Sequence, residues 1–238
     1  MENFKIVLCR PSHAGNVGAA ARAMKTMGQR HLALVCPCDF LNDESRARAR
    51  MGIEILESAQ VFENLGAAVA DCVHVLGFTS RARDLNLPTI PVDSAFHNIL
   101  KNEKTALVFG NETNGLSNAE IAHCTRQVFI PTASDFASLN LGAAVQIACY
   151  EVLKNQNLPQ KITNLPPRAN AAERTHLLKS FEAAMTRSGF YNPADPGRLI
   201  ARLARLFNRA DLERTESQIL EGFLNSLHTP TAFRKKND

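Results

Sequence analysis

Short apolar segments alternate with helix-like segments through the first two thirds of the chain, and this alternation restricts the fold more than any other feature. Branched aliphatic residues dominate five segments, 5–9, 31–36, 73–78, 105–110 and 126–130. Helix-like stretches lie between and after them, at 16–27, 43–51, 62–70, 93–101, 117–123 and 138–155. Strands that are apolar throughout indicate a parallel sheet covered on both faces. The sequence therefore predicts a doubly wound α/β domain that binds ligands at the carboxyl ends of its strands.

The chain changes character after residue 156. Residues 157–170 contain three prolines and no helical periodicity, which is typical of a linker or an irregular crossing segment. Three helix-like segments follow it, at 171–189, 196–210 and 211–227. We therefore predict a domain of residues 1–156, a linker of residues 157–170 and a small α-helical C-terminal extension of residues 171–238.

The net charge of +4 belongs to the C-terminal third. Residues 1–156 contain 14 basic and 15 acidic residues, whereas residues 157–238 contain 13 and 8. Four arginines, spaced by four, three and four residues, fall on one face of a helix: Arg198, Arg202, Arg205 and Arg209. The neighbouring apolar stripe consists of Leu199, Leu203 and Leu206. A charged stripe is often only a solvated face, but one without acidic residues favours RNA phosphate as its partner.

Composition excludes several classes of protein. An apolar fraction of 45% with 21% charged residues is ordinary for a globular protein. We find no secretory signal and no apolar stretch long enough to span a membrane, so we expect a cytoplasmic protein with no membrane partner whose six cysteines stay reduced. No metal site is expected, since His13 is isolated and the other histidines are scattered.

The first glycine-containing loop follows the first strand, at residues 13–28. Asn16 can cap a helix that Gly28 ends, with Arg22 near its middle. The loop does not match the G-x-G-x-x-G fingerprint of dinucleotide-binding proteins. On spacing alone, a capped helix with Arg22 in solvent is the simpler interpretation.

The second loop, from Gly110 to Ser117, comes within one residue of a phosphate-binding loop. It contains G-x-x-x-x-G-L-S, with Leu116 where the triphosphate motif requires lysine. Glu112 adds a negative charge, so the loop suits a neutral or cationic ligand that needs close approach to backbone better than it suits polyphosphate. A plain turn with Ser117 capping the next helix is the alternative.

The third stretch, residues 131–152, runs from a strand end into a long helix. Its opening, Ser138-Leu139-Asn140, is polar at both edges and would lie beside the second loop. A helix-capping role would explain the serine at position 138, but it gives less reason for an asparagine at position 140.

Together, these three stretches resemble the SPOUT superfamily of S-adenosylmethionine-dependent RNA methyltransferases. The matching residues are Asn16, Gly18, Arg22, Phe109, Gly110, Glu112, Gly115, Leu116, Ser117, Ser138, Leu139, Asn140 and Leu141. Within the superfamily, the sequence from Ile6 to Gly28 is similar to the TrmJ-type tRNA 2′-O-methyltransferases. The resemblance covers roughly residues 4–155 and is weak over the helical extension.

The resemblance implies more about fold and site than the residues alone can. It implies a SPOUT fold with a C-terminal trefoil knot, and a homodimer whose active site is assembled between subunits. It also implies that S-adenosylmethionine is held by Thr79, Ser80, Gly110, Glu112, Gly115, Ile130, Ser138, Leu139 and Asn140. The substrate would be the ribose 2′-hydroxyl of cytidine or uridine at position 32 of the tRNA anticodon loop.

Catalytic roles are carried over in the same way. Arg22 is the residue to which the resemblance assigns catalysis. Because a guanidinium keeps its proton, we expect Arg22 to bind the neighbouring phosphate and polarise the hydroxyl, with Ser138 helping to position it. Arg81 and Arg83, after the third predicted strand, are candidates for RNA phosphate contacts, or else solvent-facing loop residues.

Three other functions remain to be weighed. A SPOUT methyltransferase acting on ribosomal RNA would share every motif. A non-catalytic RNA-binding protein of the same fold would have no need to keep all three cofactor motifs. A phosphate-loop nucleotidase is disfavoured by Leu116 and Glu112.

Overall fold

Among the residues that the structure describes, seven parallel strands form one central sheet. The computed structural model describes residues 3–80, 87–97, 99–100, 102–133, 138–156 and 166–227. The strands of the sheet are β1 (Phe4–Cys9), β2 (His31–Val35), β3 (Gln60–Phe62), β4 (His74–Phe78), β5 (Thr89–Pro91), β6 (Thr105–Phe109) and β7 (Arg126–Phe129). Their order is β3-β2-β1-β6-β4-β7-β5, and every neighbouring pair is parallel. The predicted parallel sheet is confirmed.

Helices cover both faces of this sheet. The described helices are α1 (Ala14–Thr26), α2 (Asp43–Ala49), α3 (Ile53–Glu57), α4 (Leu65–Ala68), α5 (Asn118–Ile121), α6 (Leu141–Gln156), α7 (Ala171–Arg187), α8 (Leu199–Arg209) and α9 (Arg214–Ser226). Alternate residues of β1 enter opposite cores: Ile6 and Leu8 pack with α1 and α6, while Val7 and Cys9 pack with α4 and α5. A strand buried on both faces has to be apolar throughout, which explains the continuous runs in the sequence.

Two short strands were not predicted, and one predicted helix was wrong. Strands β3 and β5 were missed, because each is three residues long, partly exposed and without the apolar run of the central strands. The helix predicted at 93–101 is a series of turns over its described residues. Hydrogen bonds there join residues three apart, as from Ala95 N–H to the Val92 carbonyl. Val92, Ala95 and Phe96 are nevertheless buried, so a helix-like spacing reflects burial without a helix.

Four strand ends meet at one edge of the sheet. Strand β6 lies between β1 and β4, and β7 lies next to β4. Because all these strands run in the same direction, the loops that follow Cys9, Phe78, Phe109 and Phe129 emerge side by side. The three motifs of the sequence therefore converge on one region.

The helical extension packs against the opposite edge of the sheet. The Ala171 N–H donates to the Cys72 carbonyl at 2.9 Å, and Arg174 Nη1 donates to the Val73 carbonyl at 3.1 Å, just before β4 begins. At the start of β7, Arg126 forms a 2.9 Å ion pair with Asp211. These contacts lie at the amino ends of the strands, so the extension is docked onto the α/β domain far from the motif loops.

The predicted linker is partly visible. Residues 157–165 lie outside the described residues, whereas residues 166–170 cross beside α9. The Ala169 N–H donates to the Leu212 carbonyl at 2.8 Å, and Arg168 pairs with the buried Glu103 at 3.3 Å. The part of the segment that can be seen is therefore held by specific contacts.

Two further properties concern the described residues. None of their helices is long and apolar enough to cross a membrane, and none of their His, Cys, Asp and Glu side chains form a group that could hold a metal ion. All six cysteines are free thiols, and four of them are buried. The trefoil knot implied by the resemblance stays a prediction.

Candidate active site

A cavity of about 700 Å³ opens at the carboxyl ends of β4, β6 and β7. The stacked rings of Phe78 and Phe109 form part of its wall, with centroids 4.5 Å apart and planes at 19°. Val128 and Leu141 add further apolar surface. Both rings are buried, so they give the cavity a rigid apolar wall that suits an apolar or aromatic part of a ligand.

The structure brings all nine predicted cofactor residues to this cavity. They are Thr79, Ser80, Gly110, Glu112, Gly115, Ile130, Ser138, Leu139 and Asn140. They come from three separate loops, and Asn16 of the first motif also lines the cavity. The three motifs thus form one site.

The Gly110 loop depends on two glycines for different reasons. A Cβ at Gly110 would lie 2.1 Å from the Gly115 carbonyl carbon and the Leu116 nitrogen, so no side chain fits there. Gly115 has φ +66°, a conformation that favours glycine. Between them, Asn111 Oδ1 accepts from the Thr113 N–H at 2.9 Å and closes the turn. The loop therefore presents backbone to the cavity at close range.

Arg10 fastens this loop to the sheet. Its guanidinium donates to both carboxylate oxygens of Glu120, from Nε at 2.9 Å and from Nη2 at 2.8 Å, and Nη2 also reaches the Gly115 carbonyl at 3.3 Å. Ser117 caps α5 in a capping box with Glu120. This is the capping role that the sequence analysis gave as the alternative for the second loop. Partial burial opposes ionisation of Glu120, but hydrogen bonds from Arg10 and Ser117 lower its pKa below the ordinary value.

Glu112 binds the start of α1, which the sequence did not indicate. Its Oε2 accepts from the backbone N–H of Ser12 at 3.0 Å and from the Ser12 hydroxyl at 2.9 Å, and Oε1 accepts from Asn16 Nδ2 at 3.0 Å. Burial opposes its charge, yet these hydrogen bonds lower the pKa of Glu112. The carboxylate serves as an anchor between two motifs as well as a wall of the cavity.

Asn16 does not cap α1 as predicted, and Asn140 makes two contacts that the sequence did not indicate. The N-cap of α1 is His13, and Asn16 lies in the first turn. Its Oδ1 accepts from Asn140 Nδ2 at 3.1 Å. Asn140 also accepts from the Gly142 N–H at 2.9 Å, so it caps α6 in place of Ser138, and the helix begins at Leu141. One asparagine pair thus joins the first motif to the third.

Arg22 lies apart from the cavity of its own chain. It is exposed on α1, six residues or about 9 Å along the helix from Asn16, and it does not line the cavity. None of the ion pairs among the described residues includes it. The structure therefore places Ser138 at the cavity and does not bring Arg22 to it.

The predicted RNA-binding residues fall into two groups. Arg81 and Arg83 lie outside the described residues. The other four lie on α8 and its N-cap, where Arg198, Arg202 and Arg209 are exposed and Arg205 is half-buried. The apolar side of α8 differs from the prediction. Phe207, with Leu203, packs into the core of the extension, whereas Leu206 is 43% exposed.

Cationic side chains are absent from the part of the cavity wall that the structure describes, which contains neither lysine nor arginine. Leu116, at the position of the phosphate-loop lysine, is 1% exposed and packs in the core. On the described wall a triphosphate would find neutral donors and a carboxylate, with no cationic side chain to balance its charge. The cavity suits an uncharged or cationic ligand with an aromatic portion.

Two of the contributors that sequence reasoning missed differ in whether any signal could have revealed them. Phe78, at the end of β4, could have been found from the rule that ligands bind at the carboxyl ends of parallel strands. Arg10 gave no such signal, because its partner Glu120 lies 110 residues away along the chain.

The known proteins that this chain resembles are RNA methyltransferases. Residues 3–150 match the SpoU rRNA Methylase family, and residues 172–237 match the C-terminal domain of the tRNA methyltransferase TrmJ. The tRNA (cytidine/uridine/adenosine-2'-O-)-methyltransferase TrmJ of Pseudomonas aeruginosa is 36% identical over 239 residues, covering 94% of this chain and 93% of that protein.

Two solved structures are similar as well. The crystal structure of TrmJ from Z. mobilis ZM4 matches with a TM-score of 0.84 and 29% identity, covering 94% of this chain and 99% of the other. The SpoU methyltransferase AviRb from Streptomyces viridochromogenes, in complex with AdoMet, shares the fold with a TM-score of 0.53 and 24% identity, covering 66% and 62% of the two chains. The chain belongs to the SpoU methylase family and continues into a TrmJ-type C-terminal domain.

Proposed function

We propose that this protein transfers a methyl group from S-adenosylmethionine to a ribose 2′-hydroxyl of tRNA, at cytidine or uridine 32 of the anticodon loop. The observation that carries the proposal is the single cavity built from all three motifs, with stacked phenylalanines and no cationic side chain among its described wall residues. The names of the TrmJ relatives and the match of residues 172–237 support tRNA as the substrate.

The cavity fits the proposed cofactor. Phe78 and Phe109 would contact the adenine, and backbone groups of the Gly110 loop can approach the adenosine because Gly110 and Gly115 have no side chains. When bound, S-adenosylmethionine supplies an electrophilic methyl group on a positively charged sulfur. Glu112 contributes negative charge to the cavity wall, which favours a cationic ligand. The protein therefore has mainly to orient the attacking hydroxyl.

Ser138 and Arg22 are proposed for that task. Ser138 is exposed at the cavity, where its hydroxyl can hydrogen-bond the ribose. Arg22 would bind the neighbouring phosphate and stabilise negative charge on the attacking oxygen. A guanidinium is a poor base, so its contribution is electrostatic.

We also propose a homodimer in which Arg22 of one subunit serves the cavity of the other. Two observations support this: Arg22 lies away from its own cavity, and large apolar side chains are exposed on and just before α6, which packs against α1. Leu139 is 37% exposed and Tyr150 of α6 is 51% exposed. Helices α1 and α6 pack closely there, since a Cβ on Gly142 would lie 2.8 Å from the Ala19 Cβ.

The two regions of the chain would have different functions. Residues 1–156 would bind cofactor and perform the transfer, while residues 171–238 would bind tRNA through the arginines of α8. Because the substrate is tRNA, we place the protein in the cytoplasm.

The test is incubation of the protein with unmodified tRNA and isotopically labelled S-adenosylmethionine, followed by nuclease digestion and mass spectrometry. Label on the ribose of nucleotide 32 is expected. Label on a base would contradict the mechanism, and label on ribosomal RNA alone would favour the ribosomal substrate. Absence of both transfer and cofactor binding by calorimetry would indicate a non-catalytic RNA-binding protein.

The dimer has its own test. An R22A variant and a G110A variant should each be inactive alone. If the site is shared between subunits, mixing them after subunit exchange should restore part of the activity, because some mixed dimers contain one intact site. Light scattering that shows a monomer would contradict this part of the proposal.

A further inference from the structure

The 3₁₀ turn Arg50–Gly52 touches α1 beside Arg22. A Cβ on Gly52 would lie 2.7 Å from the Ala21 carbonyl oxygen and 3.1 Å from the Arg22 nitrogen, so only glycine permits this contact. The two residues before Gly52 are exposed, and Met51 is 82% exposed. The turn therefore carries an arginine and a methionine next to the stretch of α1 that bears Arg22.

The ion pairs near this turn do not include Arg50. Residues 44–57 contain three carboxylates, and each has a cationic partner: Glu44 with Arg48, Glu54 with Lys25, and Glu57 with Arg46. The ion pairs of the described residues include no partner for Arg50. Its positive charge is available to a ligand.

The backbone of Arg50 gives an independent argument. Its φ of 49° with ψ of −116° is a conformation that glycine adopts far more easily than arginine. Glycine would serve the turn with less strain, and the Arg50 side chain makes no ion pair that would repay the strain. Strained residues of this kind are frequent at functional sites. Arginine at this position thus points to a role outside the fold.

We propose that Arg50 binds a backbone phosphate of the substrate RNA close to the modified nucleotide, while Met51 packs against an unstacked base or ribose. This inference rests on the proposed function and adds an RNA contact separate from the arginines of α8. A guanidinium matches the geometry of phosphate oxygens, and proteins that bind single-stranded RNA loops combine such cations with a surface for exposed bases. Methionine offers a polarisable apolar surface for that purpose.

The experiment measures binding of an unmodified tRNA transcript to the full-length protein across a series of salt concentrations. Arg50→Gln should weaken binding about 5- to 10-fold at low salt and should lower the slope of log K against log salt by about 1. Arg30→Gln is the matched control, since it removes one exposed arginine that precedes β2 at the other end of the sheet. Arg50→Lys should recover part of the affinity.

Arg50→Gly separates a functional role from a structural one. It removes the side chain and relieves the backbone strain, so RNA affinity should fall while the melting temperature stays level or rises. Wild-type RNA affinity in both Arg50→Gln and Arg50→Gly would overturn the inference. A fall in melting temperature that accompanies the loss of binding would overturn it too, because affinity would then follow stability.

The wild-type protein distinguishes this inference from the proposed function. If wild-type protein methylates tRNA ribose and Arg50→Gln binds tRNA equally well, only the contact at Arg50 is wrong. If wild-type protein neither binds nor methylates tRNA, the proposed function itself fails. Cofactor affinity should be the same in all these variants, because Arg50 does not line the cavity.

Discussion

The side-chain amide of Asn140 donates to that of Asn16 across 3.1 Å, although the two residues are 124 positions apart. Asn16 in turn donates to Glu112 at 3.0 Å, so one chain of hydrogen bonds runs through all three motif loops. Because each loop is fixed by the next, a change in one loop should alter cofactor binding through the other two.

The first prediction concerns the coupling of the two asparagines. Replacing either with alanine should lower both stability and S-adenosylmethionine affinity, since its partner loses a hydrogen bond. A double-mutant cycle of Asn16→Ala and Asn140→Ala should give a coupling energy of about 1 kcal/mol in the free energy of unfolding. Strictly additive effects would mean that the contact contributes nothing.

The second prediction compares two glycines. Gly110→Ala should destabilise the protein by about 2–4 kcal/mol and abolish cofactor binding, because the new Cβ would collide with the backbone at Gly115 and Leu116. Gly222→Ala is the control, as a Cβ in α9 meets nothing within 4 Å. It should stabilise the protein by about 0.5–1 kcal/mol. Denaturant unfolding and calorimetry measure both effects.

The third prediction concerns Arg22. Arg22→Lys keeps the positive charge but loses the planar pair of donors, so turnover should fall by about 100-fold while cofactor affinity is retained. Single-turnover methylation of tRNA and calorimetric titration provide the two measurements. Near-normal methylation by this variant would remove Arg22 from the mechanism.

The fourth prediction concerns the arginines of α8. The double variant Arg202→Gln and Arg209→Gln should weaken tRNA binding and lower the salt slope by about 2, without changing cofactor affinity. Lys179→Gln with Arg30→Gln removes the same charge from exposed positions outside α8. An equal loss of binding in this control pair would show a general charge effect.

The fifth prediction concerns pH. The pKa of Glu120 is lowered in the folded protein, so its contribution to stability is fully present above the ordinary value of 4.5 and is lost as pH falls below that value. Glu120→Gln should cost about 2–3 kcal/mol at neutral pH, because Arg10 loses its charged partner, and should flatten the acid decline of stability. Glu57→Gln is the control, since it removes an exposed ion pair and should cost about 0–1 kcal/mol at neutral pH.

The sequence predicted a structural feature correctly where residues close together in the chain determine that feature. The continuous apolar runs predicted the parallel sheet, and the two glycines of the second loop predicted close backbone approach. The partners of Glu112 and Asn16 were not predictable from spacing, because they are set by which strand ends lie side by side. The helix predicted at 93–101 was wrong for a related reason: burial of Val92 and Phe96 follows a helical spacing that turns can also satisfy.

The attachment of the extension at the amino ends of β4 and β7 sets a minimum length for the substrate. The cavity lies at the carboxyl ends of the same strands, so a strand of five residues, about 16 Å, separates the two edges. An RNA that contacts the extension and the cavity of one chain has to bridge at least that distance. A single nucleotide is too short to do so, and methylation should therefore depend on how far an RNA extends beyond the modified nucleotide.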